Sequence, residues 1–185
     1  MFEYFSFDSL SINDIQISPE TKNSLDQKMM DLSLNQDKFV FVSPQANTCS
    51  DIDVSTCARL QDMLTKLGYD VFWNVSNQYL EINNIKSCFL SLQEAFVLVK
   101  KAKYFIALRS GFAELLVWSQ TPSCIIYTAF KHRNNENYIR SAKLCLEGFT
   151  LTKAPRCNMD LKEFVVETKE DYDEIFAEIK EDLCH

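Results

Sequence analysis

Two short stretches of this 185-residue sequence combine residue types that can hold a phosphate or a sugar hydroxyl. The first, Ser43-Pro44-Gln45-Ala46-Asn47-Thr48, follows the apolar run Phe39-Val40-Phe41-Val42, and its Asn47 and Thr48 offer amide and hydroxyl hydrogen bonds. The second, Arg109-Ser110-Gly111, follows Tyr104-Phe105-Ile106-Ala107-Leu108. Ser110 stands where a helix N-cap belongs, and Gly111 lets another group approach the backbone. The helix that follows aims N–H groups and a partial positive charge at an anion. Arg109 either adds a fork suited to bidentate phosphate contact or pairs with a nearby carboxylate. Glu114, in the first turn, either complements the helix dipole or accepts hydrogen bonds from ribose hydroxyls. These residues amount to a diphosphate cradle built on one glycine.

The composition excludes the commoner phosphate sites. There are three glycines, Gly68, Gly111 and Gly148, too few and too scattered for a Walker loop or a G-x-G-x-x-G turn. Charge excludes nucleic acid as a partner. The net charge of −7 resides in Asp160–His185, with ten acidic and three basic side chains, and the residues before are neutral. Binding to phosphodiester backbones needs a surplus of Lys and Arg instead. The seven cysteines are odd in number and form no C-x-x-C pair. With no signal peptide and no apolar run of about 18 residues, a cytoplasmic protein with free thiols and no membrane span is expected. The Asn74-Val75-Ser76 sequon then has no meaning. Cys145, Cys157, Cys184 and His185 fit no known zinc spacing, so no metal site is expected, and no cofactor. His132 and His185 read as solvated surface.

The elements that position the two loops can be read from periodicity. Residues 1–37 form a polar lead-in, with a short helix from Pro19 to about Asp31. Residues 38–185 form the domain. Phe39–Val42 is a strand buried on both faces, and Val54, Cys57, Leu60, Leu64 and Leu67 mark a helix capped by Asp51 or Asp53 and ended by Gly68. Asp70–Asn74 is a second strand, and residues 79–90 are ambiguous. Ser91 and Glu94 form a capping box that opens a helix to about Lys100. Tyr104–Leu108 is a third strand, Phe112–Gln120 a helix, and Cys124–Tyr127 a fourth strand. A polar loop follows from His132 to Asn137, then a helix near Tyr138–Cys145 and an irregular segment through Cys157. The last helix is acidic and amphipathic, with Tyr172, Ile175, Phe176, Ile179 and Leu183 on its apolar stripe. This alternation predicts an α/β fold: a single Rossmann-like, doubly wound, mostly parallel sheet with helices on both faces.

Ala107-Leu108-Arg109-Ser110-Gly111-Phe112-Ala113-Glu114-Leu115-Leu116, with Pro122 ahead of the strand Cys124–Tyr127, resembles the C-terminal donor domain of GT-B glycosyltransferases. The pattern is similar to that of the bacterial ADP-heptose lipopolysaccharide heptosyltransferases, and the serine-rich turn to that of GT-B fucosyltransferases. The resemblance spans roughly residues 38–130. It implies that Ser110 and Gly111 hold the diphosphate of a nucleoside diphosphate sugar, that Glu114 faces the donor, and that transfer is metal-independent. The sequence departs from the heptosyltransferases at three places. Arg109 replaces an acidic residue, the loop after the first strand lacks their lysine, and Tyr127-Thr128-Ala129-Phe130 replaces a Gly-Pro turn. A GT-B enzyme also has a separate acceptor domain, so a homodimer or a partner chain is expected to supply that side. Two other classes fit the same residues: a non-catalytic binding domain completed by a partner, and a small nucleoside-processing, deoxyribosyltransferase-like enzyme with Glu114 or an aspartate as nucleophile.

Overall fold

Every residue of Phe39–Ser43 (β1) is buried, as a strand without polar alternation must be in a sheet covered on both faces. Tyr104–Leu108 (β4) and Ser123–Tyr127 (β5) are equally enclosed. The computed structural model describes residues 17–75, 82, 85–132, 135–153 and 160–184. These three strands join Asp70–Trp73 (β2), Lys86–Ser87 (β3) and Leu161–Val165 (β8) in one sheet of order β3-β2-β1-β4-β5-β8. All of its pairings are parallel. Strand order reverses between β1 and β4, the doubly wound arrangement.

Helices cover both faces. Pro19–Asp31 (α1), Leu92–Val99 (α3), Gly111–Leu116 (α4) and Ala142–Phe149 (α5) bury Leu25, Met29, Phe96, Val99, Leu116 and Cys145 against Phe41, Phe72, Phe105 and Tyr127. Val54–Lys66 (α2) and Asp171–Cys184 (α6) bury Leu60, Leu64, Tyr172, Ile175 and Ile179 against Val42, Trp73, Ile106 and Ile126. Asp53 is the cap of α2, accepting from the Thr56 amide at 3.1 Å. Gly68 follows that helix at φ +78°, a conformation that side chains rarely adopt. The acidic α6 is held to the sheet by Lys162 of the edge strand, which reaches Glu178 at 2.8 Å and Asp182 at 2.7 Å, and by the Tyr104 hydroxyl of β4, which donates to Asp182 at 2.7 Å.

Three expectations need revision. The helix after Gly111 is shorter than Phe112–Gln120: a 3-10 turn at Val117–Ser119 closes it, and Gln120 sits at φ 65°. The polar stretch after β5 is an antiparallel hairpin, Phe130–His132 (β6) and Asn135–Arg140 (β7), whereas a loop was expected. The next helix begins at Ala142, because the Ser141 side chain accepts from the Leu144 amide at 3.4 Å and caps it there. β8 had not been expected at all. Among the described residues the cysteines are free, no group of three or more His, Cys, Asp or Glu residues could hold a metal, and no helix is long and apolar enough to cross a membrane. Ser76, Cys157 and His185 lie outside the described residues, as does most of 79–84.

Candidate functional site

The β1–β4 register places Ser43 beside Ala107, so the loop after β1 and the turn after β4 leave the sheet at one level. That is the reversal point, where open parallel sheets form their binding crevice. The loop is held in place by several hydrogen bonds. The Ala46 amide donates to Asp51 Oδ1 at 3.1 Å, and the Ile52 amide to the Pro44 carbonyl at 3.1 Å. The Thr128 hydroxyl donates to the Ser50 carbonyl at 2.7 Å. Cys49 bridges to Phe130 at the base of the hairpin, and its thiol donates to the Arg109 carbonyl at 3.6 Å. Burial, reinforced by the neighbouring Cys145, pushes the Cys49 thiol up, so it is no nucleophile near neutral pH.

Two pockets flank the Ser110-Gly111 turn. The larger, about 690 Å³, is lined by Ser43, Asn47, Thr48 and Asp51 at and after the end of β1, by Phe89 and Leu92 where α3 begins, and by Phe112 of α4. Asn74, Ser110 and Gly111 line it too. The smaller, about 290 Å³, lies beyond the turn and is lined by Thr48, Cys49, Arg109, Glu114, Tyr127 and Phe149, among others. Thr48, Ser110 and Gly111 face both and form a ridge between them.

The six candidate residues therefore divide. Asn47, Thr48, Ser110 and Gly111 meet at the larger cleft, while Arg109 and Glu114 face the smaller pocket. Ser110 is the N-cap, accepting from the Ala113 amide at 3.1 Å. A Cβ built at Gly111 meets nothing within 4 Å, so the glycine borders open space. The Arg109 side chain is 15% exposed and is tied in place from several sides. Its Nε donates to the Phe149 carbonyl at 3.0 Å, Nη1 to the Ser110 carbonyl at 2.9 Å, and Nη2 to Glu114 at 3.0 Å. The carboxylate-pair alternative for Arg109 is the one present, and its fork is held by backbone carbonyls.

Phe89 and Asn74 also line the larger cleft. Phe89 is 74% exposed on the cleft rim although aromatic. A signal for it existed: the capping box makes Leu90 the residue before the N-cap, which packs inward, so its neighbour Phe89 faces the other way. Asn74, the residue after β2, is buried, and its Oδ1 accepts from the Leu90 amide at 2.9 Å. It thereby positions the Phe89–Leu92 wall. Asn74→Ala strands that buried amide and is expected to cost about 2 kcal/mol in urea unfolding. A loss below about 0.5 kcal/mol would place the anchor elsewhere.

No family model and no curated protein matches the sequence. Among solved structures, a glycosyl transferase family 9 protein from Veillonella parvula matches 89% of this chain with a TM-score of 0.53 at 14% identity. The fold is glycosyltransferase-like. The chain covers 45% of that structure's length. In this glycosyltransferase-like sheet the larger cleft presents amides, hydroxyls and an apolar rim, which suits binding. Among the described residues its one carboxylate, Asp51, already braces the loop through the Ala46 amide.

Proposed function

We propose that the cleft over the β1–β4 seam binds a nucleoside diphosphate sugar, as the donor side of a metal-independent glycosyl transfer. The observation that supports this best is position. The cleft opens where strand order reverses, in a sheet whose fold matches a glycosyltransferase. In this reading Asn47 and Thr48 hydrogen-bond the donor, and the ridge at Ser110 and Gly111 admits the diphosphate close to the backbone. The exposed ring of Phe89 offers a flat apolar face to the base. Arg109 offsets the charge that develops on the leaving diphosphate. The acceptor and the general base come from a partner chain or a second copy.

The test is a thermal-shift panel of ADP, GDP, UDP and CDP, their sugar conjugates and the parent nucleosides. A ligand at a hundred times its Kd stabilises by about 2.7 kcal/mol, or a rise of roughly 5 to 10 °C in Tm for a domain of this size. One base standing out among the diphosphates is the expected result. A second reading, an uncharged nucleoside as ligand, is favoured by the larger cleft's lining. Its described residues include Asp51 but no lysine or arginine. Nucleosides stabilising as well as their diphosphates would select that reading, and a flat response throughout would overturn both.

A further inference from the structure

We infer that Glu114 stands, in the free protein, where an anionic ligand group binds: the smaller pocket is an anion site closed by the protein's own carboxylate. This rests on the donor reading and adds how that site is regulated. Among the described residues lining the smaller pocket, Arg109 is the one cation and Glu114 the one carboxylate. With the pair closed the pocket is electrically balanced, and an incoming phosphate meets no net charge.

The two partners are held very differently. Arg109 is 15% exposed, and its Nε and Nη1 are fixed to the carbonyls of Phe149 and Ser110. It stays in place when Glu114 leaves. Glu114 is 51% exposed and holds Arg109 through Nη2 at 3.0 Å. An ion pair so open to water is held weakly, whereas a phosphate oxygen on a mostly buried guanidinium makes a strong charge-assisted bond. Thr48 and Thr128 line the same pocket, the Thr128 hydroxyl donating to the Ser50 carbonyl at 2.7 Å. At about 290 Å³ the pocket is small for a nucleotide and ample for a phosphoryl or diphosphoryl group. Displacing Glu114 opens Arg109 to the ligand, so the ion pair selects against weak anions.

Calorimetric titration of inorganic pyrophosphate at low ionic strength tests this in the parent, Glu114→Gln and Glu114→Asp. The first variant removes the carboxylate's charge. The second keeps the charge but shortens the arm by one methylene and breaks the reach to Arg109. Both are expected to bind pyrophosphate roughly 5-fold tighter, the scale of one weak exposed pair removed. Tightening in Glu114→Gln alone would reduce the effect to long-range charge and overturn the inference. So would no change in either variant, or no binding in all three proteins. The cleft reading is judged separately, by nucleoside diphosphate binding in Gly111→Val. If that binding is weakened while the Glu114 variants show no tightening, only the closing carboxylate fails.

Discussion

Gly111→Val is expected to fold like the parent and to bind the nucleoside diphosphate much more weakly. A Cβ at this position meets nothing within 4 Å, and Gly111 is not among the glycines at positive φ. Neither packing nor backbone conformation therefore requires a glycine. Stability measured in urea should change by no more than about 0.5 kcal/mol. The added methyl groups project from the ridge that both pockets share. Steric conflict of this kind costs about 2 kcal/mol, which is roughly a 30-fold weaker Kd by titration. Unimpaired binding in a folded Gly111→Val would move the ligand away from the ridge and end the donor-cleft reading.

Glu94→Gln is expected to give the largest loss of stability and to flatten the acid limb of the stability curve. The Glu94 side chain is 6% exposed and ties α1 to α3. It accepts from Lys28 at 2.7 Å, from the Ser24 hydroxyl at 3.0 Å and from the Ser91 amide at 2.9 Å. Burial alone would raise its pKa, but the hydrogen bonds from Lys28, Ser91 and Ser24 prevail and lower it from 4.5 to about 2. Because the folded value is the lower one, this stability is complete above pH 4.5 and disappears as pH falls toward 2. The shift corresponds to about 3 kcal/mol, of which about 2 kcal/mol is gone by pH 3. Urea unfolding at pH 7 and pH 3 should show the parent losing about 2 kcal/mol more than Glu94→Gln over that interval. Parallel losses in the two proteins would mean that Glu94 contributes nothing to the pH dependence.

The central sheet was legible because its strands carry their own signal. Phe39–Val42 and Tyr104–Leu108 are apolar without interruption, and each lies between two neighbouring strands with helices on both faces. The capping box at Ser91 was equally plain, and both of its hydrogen bonds are present. β8 was hidden by its place at the sheet edge. It pairs with β5 alone, and its Lys162 and Glu163 serve as tethers, so an apolar run is absent. Glu163 accepts from the Leu151 amide at 2.8 Å and from the Tyr127 hydroxyl at 2.5 Å, a partnership between residues far apart in sequence. Of the site, the two polar loops could be found because each follows a strand. The placing of Arg109 in the smaller pocket could not, because it depends on where the side chain turns. That is decided by the Phe149 carbonyl, 40 residues further along the chain.

The β1–β4 seam also bears on how the protein is made and unmade. On one side lie β1, β2 and β3, each paired with a strand close in sequence, and on the other β4, β5 and β8. Within the sheet the halves meet through one strand pair, Val40–Ser43 against Tyr104–Ala107, which closes a chain segment of about 60 residues, a slow contact to form. The cleft does not exist until that contact closes. A ligand seated across it can act only on the assembled protein, so its effect falls on the lifetime of the folded state and leaves the rate of folding unchanged.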